Sequence, residues 1–199
     1  MPAQLKQLGK LYMKVDLNTG LLIPTQFPQI SFSQSPNFNV RPPQITIDLL
    51  VIHSISLPPG IYTGNSVVDF FCNQLDFSAH PYYQNIQDLK VSAHLFIRRS
   101  GEIIQFVPFS ERAWHAGKSC FQNRTNCNDF SIGIELEGTD FEVFTKNQYA
   151  SLFLSTKAIR SAYPSISAEN IVGHQDIAPE RKTDPGPYFD WQSYRASFG

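Results

Sequence analysis

The sequence predicts a single α/β domain in which helices flank a central mixed β-sheet. Three observations carry this. QITIDLLVIH is rich in Ile, Leu and Val and has the length of a strand buried on both faces. SIGIELE alternates as a strand does, and segments with helical spacing or capping signals fall between the strand-like runs. A chain of 199 residues is of single-domain size and can bury a sizeable core without staples.

Residues 1–43 contain several Pro, Asn, Gln and Ser and end in NFNVRPP, the composition of an extended arm that packs on the domain or partly frays. The domain proper then spans 44–199, with little chemistry expected in the arm. The first strand closes on His53, at its carboxyl end. SLPPG makes a hard turn, and Ser66 with Asp69 forms a capping box for a helix over VVDFFCNQL. VSAHLFIRR and EIIQFVPF flank Ser100-Gly101, a two-residue turn signal, and predict a β-hairpin over about 91–108. In the alternating strand Ile132, Ile134 and Leu136 point one way and Gly133, Glu135 and Glu137 the other, an acidic face opposed to a core face. Thr145 and Gln148 cap a helix that continues to Tyr163-Pro164. NIVGH is one more short strand, delivering His174, and a last helix runs from about Trp191 to Ala196.

Hydrophobic residues make up 42% of the chain and charged residues 17%, and the formal net charge of −1 creates no large field for nucleic acid or an anionic membrane. The partner is therefore a small molecule held in a pocket, with no obligate protein partner implied. Three cysteines cannot all pair within one chain, and none lies in a C-x-x-C arrangement, so reduced thiols are expected. The first residues lack the pattern of an export signal and no later window has the apolar length of a membrane span, which predicts a cytoplasmic protein.

The chemistry concentrates in GHQDIAPERKTDPGP, residues 173–187, where His174, Lys182 and Asp184 share one proline-punctuated loop. With His53 the chain offers two imidazoles and a carboxylate, the three protein ligands of a catalytic zinc site with a fourth position open. A single histidine is more often a hydrogen-bonded structural residue. The set of three, with Lys182 between two of them and both histidines ending strand-like runs, favours the metal. Hydrolysis also needs a base and a cation for the oxyanion, roles open to Glu135 and Lys182. Glu137 shares the face of Glu135, and spacing alone does not choose between them.

LLVIHSISLPPG, VSAHLFIRRSGEIIQFVP, RAWHAG, CNDFSIGIELEGTD and GHQDIAPERKTDPG follow one another over roughly 49–191. In order and spacing they resemble the AmpD type of 1,6-anhydro-N-acetylmuramoyl-L-alanine amidase, within the wider amidase and peptidoglycan-recognition superfamily. The resemblance implies a zinc amidase of peptidoglycan recycling that cuts the amide between the lactyl group and L-alanine in anhydromuropeptides. It implies Zn²⁺ on His53, His174 and Asp184, Glu135 rather than Glu137 as catalytic acid or base, and Lys182 as oxyanion partner. Related phage amidases and catalytic recognition proteins carry Cys as third ligand and Tyr near Ala93; Asp184 and Ala93 depart from that pattern and fit the AmpD type.

For substrate, the resemblance points to Ser54, where the family often has Asn, and to Trp114 and His115 of RAWHAG as part of the pocket wall. Asn126 stands where several members have Arg, which leaves Lys90 and Arg124 as candidates for the stem-peptide carboxylates. Two alternatives use the same scaffold. A non-catalytic muropeptide receptor predicts a lost metal ligand, and none is lost; an envelope amidase acting on intact murein predicts an export segment.

Overall fold

The computed structural model describes residues 13–23 and 28–198; the first twelve residues of the expected arm, its residues 24–27 and Gly199 lie outside them. Among the described residues the central sheet has six strands: β1 (Ile30–Phe32), β2 (Leu49–Ile55), β3 (Leu95–Ile97), β4 (Ile103–Gln105), β5 (Ser131–Glu137) and β6 (Ile171–Gly173). Their spatial order is β6-β2-β5-β3-β4-β1. The β3–β4 pair is the expected antiparallel hairpin, and the other neighbouring pairs are parallel, so the sheet is mixed. The helices are α1 (Ser66–Phe71), α2 (Lys146–Ala162), α3 (His174–Ile177) and α4 (Trp191–Ala196).

The central pair β2 and β5 runs in register from Leu49 opposite Ser131 to Ile55 opposite Glu137. Burial on both sides explains why β2 is a continuous apolar run rather than an alternating one. On one face Leu50, Ile52, Ile132, Ile134 and Leu136 pack with Leu152, Ala158 and Ile159 of α2 and Tyr194 of α4. Each such buried aliphatic side chain contributes about 1.5–3 kcal/mol relative to exposure. α2 starts where Thr145 Oγ1 accepts from the Gln148 N–H at 3.1 Å and Gln148 Oε1 accepts from the Thr145 N–H at 3.0 Å, the capping box expected. On the other face, α1 and the hairpin share a second cluster around Phe71, Phe96 and Phe106, and a small third cluster joins Val51, Ala116, Phe130 and Ile177.

Three local expectations change. α1 begins one residue earlier than the capping box requires: Asn65 is the N-cap, its Oδ1 accepts from Arg98 at 2.7 Å, and Ser66 Oγ accepts from the Tyr83 hydroxyl at 2.8 Å. Tertiary partners have taken the side chains that local capping would use. The hairpin connection is five residues, since Ile97 pairs with Ile103, and Ser100-Gly101 form a turn inside it with Gly101 at φ +90°. The acidic face of β5 is not solvated: Glu135 is 8% exposed and Glu137 5%, because loops cover this side of the sheet.

Much of the N-terminal segment packs on the domain. β1 adds a parallel edge to β4. Arg41 is buried and donates to the carbonyls of Phe109, Asn128, Asp129 and Ser131 at 2.8–3.1 Å, and burial pulls its guanidinium down to about 10.

Candidate active site

The sheet presents its functional side chains on the face opposite α2. Side chains alternate along a strand, so with Leu50 and Ile52 in the main core, His53 of β2 projects to the other side. Glu135 is its register partner on β5 and shares that side. β6 pairs with β2 through Gly173 opposite Ile52, which brings His174, the first residue of α3, beside His53. β2 runs on to Ile55, two residues past its expected end at His53, and the two histidines are brought together by a parallel pair.

Asp184 arrives on the loop after α3. Its carbonyl accepts from the Gln175 N–H at 3.0 Å, and the Lys182 N–H reaches the Ala178 carbonyl at 2.9 Å. Asp140, from the loop after β5, fastens this segment to β2: one carboxylate oxygen accepts from Ser54 Oγ at 3.1 Å and the other from Thr183 Oγ1. Gly186, at φ +81°, lies so close that a Cβ there would sit 2.5 Å from Asp140 Cα. Asp140 had no assigned role in the sequence reading; it lies within the run CNDFSIGIELEGTD, and pairing with distant hydroxyls is not visible in spacing.

Three donor atoms converge. His53 Nδ1 is 3.0 Å from His174 Nδ1 and 3.2 Å from Asp184 Oδ2, and His174 Nδ1 is 3.1 Å from the same oxygen. Nitrogen and oxygen ligands about 2.0–2.2 Å from one tetrahedral Zn²⁺ lie about 3.3–3.5 Å from each other, so the spacing suits such an ion. The outward nitrogens agree with this use. His174 Nε2 is 3.2 Å from the Ala116 carbonyl, an acceptor, which puts the ring proton there and leaves Nδ1 as a lone pair. His53 Nε2 is 2.9 Å from His115 Nδ1. Among the described residues this is the one cluster of three or more potential ligands close enough to hold a metal.

Burial sets the electrostatics. His53 is pushed down to about 4 by desolvation and then by the neighbouring His174, against the pull of Asp184, and is neutral at pH 7. Burial works to raise the Asp184 carboxyl, but its contacts with His174 and His53 outweigh that and hold it well below the usual carboxylate range. Glu135 goes the other way: burial first, then the Asp184 charge, raise it well above its ordinary value, with Lys182 opposing. Its Oε2 has no hydrogen-bond partner among the described residues. A buried carboxyl with a raised pKa and a free oxygen beside the triad has the properties of a general base.

A cleft of about 540 Å³ takes in Ser54, His115, Glu135, His174, Lys182 and Asp184, with Phe141 among its other walls. The remaining predicted substrate residues lie elsewhere. Lys90 and Trp114 line a second cleft with Arg112 and Lys118, and Trp114 Nε1 donates to Asn39 Oδ1 at 2.7 Å. Arg124 pairs with Asp48 at 2.7 Å and lies over the Phe130 ring at 3.7 Å. Glu137, the competitor of Glu135, is engaged: its Oε2 accepts the Arg99 N–H at 2.9 Å and Arg98 lies 3.7 Å from its Oε1.

A mixed sheet with flanking helices and a His–His–Asp cluster beside a buried glutamate is an arrangement that suits a hydrolase. Residues 43–187 match the model of the N-acetylmuramoyl-L-alanine amidase family, and the chain belongs to that family. It is 55% identical over 162 residues to the 1,6-anhydro-N-acetylmuramyl-L-alanine amidase AmpD of Citrobacter freundii, covering 81% of this chain and 86% of that one. A crystal structure of a selenomethionine derivative of AmpD superposes with a TM-score of 0.86 at 50% identity, over 93% of this chain and 99% of the other. The Escherichia coli amidase AmiD, solved with the substrate anhydro-N-acetylmuramic acid-L-Ala-D-γ-Glu-L-Lys, matches at 30% identity and a TM-score of 0.58, over 92% of this chain and 65% of that one.

Proposed function

We propose that this amidase is zinc-dependent and hydrolyses the lactyl–L-alanine amide of 1,6-anhydromuropeptides in peptidoglycan recycling. The observation that carries the reading is the convergence of His53 Nδ1, His174 Nδ1 and Asp184 Oδ2 within 3.2 Å of one another, beside a buried, unpartnered Glu135 oxygen. A Zn²⁺ held there supplies Lewis acidity toward water and the carbonyl. Glu135 takes a proton from the attacking water as its oxygen bonds to the lactyl carbonyl carbon. It returns that proton to the L-alanine nitrogen as the C–N bond breaks. Lys182, on the wall of the same cleft, faces the negative charge that develops on the carbonyl oxygen. The substrate complex of AmiD supports an anhydromuropeptide as the ligand class.

The cytoplasm is part of the proposal. Its support is the set of free cysteines, Cys120 exposed among them, and no helix among the described residues is long and apolar enough to cross a membrane. The receptor alternative is disfavoured because all three ligands and the glutamate are present.

The deciding experiment mixes the protein with an anhydromuramoyl tripeptide, with and without a chelator, and follows products by mass spectrometry. Free tripeptide is expected, lost with chelator and restored by zinc. Uncleaved ligand bound to zinc-loaded protein would favour the receptor reading instead.

A further inference from the structure

We propose that His115 is a positioning residue for the metal centre, holding His53 in the tautomer that presents its Nδ1 lone pair to the cation; this rests on the zinc reading above. The sequence places His115 on the substrate wall and the residue does line the cleft, yet it is only 8% exposed and both its nitrogens are engaged within the protein. Its Nδ1 lies 2.9 Å from His53 Nε2, and its Nε2 lies 3.1 Å from Ser131 Oγ. A cation on His53 Nδ1 requires the ring proton on Nε2. His115 Nδ1 then accepts that N–H, which puts the proton of His115 on Nε2, aimed at the serine oxygen. With the cation on His53 Nδ1 the chain of protons runs from His53 to Ser131; the reverse chain, donated by the serine hydroxyl, would put the proton on Nδ1, and the cation excludes it.

The neighbouring residue does the same for the second ligand. His174 Nε2 meets the carbonyl of Ala116, so the dipeptide His115–Ala116 orients both imidazoles, one through a side chain and the other through the backbone. Asn128 clamps this dipeptide: its Oδ1 accepts the N–H of His115 at 3.1 Å and of Ala116 at 2.8 Å. The position of the ring also accounts for Gly133. A Cβ on Gly133 would lie 2.4 Å from His115 Cγ, closer than atoms can approach, so the missing side chain in the middle of β5 is the space the ring occupies.

The test is the zinc affinity of the full chain, measured by competition with a chromophoric chelator, alongside melting in chelator to compare the folds. His115→Leu removes the acceptor and should weaken zinc binding about 10–100-fold. His115→Asn carries its Oδ1 near the position of Nδ1 and should restore affinity to within a few-fold of wild type. Gly133→Ala, which keeps the imidazole but displaces it, should weaken binding about tenfold. Wild-type affinity in His115→Leu, or affinity in His115→Asn as poor as in His115→Leu, would overturn the inference. A wild-type protein that binds no zinc would instead overturn the metal reading on which it rests.

Discussion

The two faces of β5 are buried to nearly the same degree and do opposite things. Ile132, Ile134 and Leu136 enter the main core, while on the other side Gly133 meets the His115 ring, Glu135 lies beside the His–His–Asp cluster and Glu137 meets Arg98 and Arg99. Burial of an aliphatic side chain is stabilising; burial of a carboxylate costs free energy unless it is paired. The acidic face resolves this cost in two ways. Glu137 finds an N–H and a guanidinium, which oppose the rise in pKa that burial imposes on it, whereas Glu135 keeps an oxygen without a partner and is raised well above its ordinary value. That difference is what the proposed assignment of Glu135 as the reactive carboxylate rests on.

The largest effect that separates the faces is expected for Glu135→Gln. Turnover of an anhydromuramoyl peptide should fall about 10²–10⁴-fold, with zinc content near one per chain and a melting temperature no lower than wild type, because a neutral amide is cheaper to bury. Glu137→Gln serves as the control and should leave turnover within a few-fold. Equal loss in both variants would erase the distinction between the two carboxylates.

Ile134→Ala, one residue away on the opposite face, should show the reverse pattern. It opens a cavity in the core and should cost about 2–5 kcal/mol in denaturant unfolding, with zinc affinity preserved in the folded protein. A large drop in zinc affinity at unchanged stability would mean that the two faces are coupled.

The third effect concerns a buried histidine on β5's polar side that ligates nothing. His94 Nδ1 accepts the Gly133 N–H at 3.0 Å, and burial, then the charge of Arg41, hold its pKa well below 6.5. In the unfolded chain the ring takes a proton near pH 6.5 while the folded ring stays neutral. Stability should therefore fall as pH drops below about 6.5, by about 1.4 kcal/mol per pH unit for this ring until the folded group also titrates. His94→Asn, measured in chelator at pH 7, 6 and 5, should reduce the slope by one proton; an unchanged slope would show that His94 is not buried neutral.

The strands and α2 with its cap were legible in the sequence, because hydrophobic periodicity and capping residues act over a few neighbours, and so were the three residues that converge in the His–His–Asp cluster. His53 and His174 close strand-like runs, and Asp184 lies in the same short loop as Lys182, so their chemistry could be named before their positions were known. Glu135 and Glu137 could not be separated that way, since both occupy one face of one strand and differ only in distant partners. Local signals also failed where distant groups competed: Tyr83 and Arg98 occupy the polar side chains at the start of α1.

By itself the sequence determined the alternation that sorts β5 into an apolar and an acidic side, and the residue types able to grip a divalent ion. Tertiary structure alone decided that the acidic side is buried, that Glu135 is the carboxylate of that side with an unpartnered oxygen, and that His115, at the edge of the cleft, packs over Gly133 with both ring nitrogens engaged. The reason is physical: periodicity records which side of a strand faces oil, but a pKa or a tautomer depends on atoms within a few ångströms, and the fold brings those from 60 to 130 residues away.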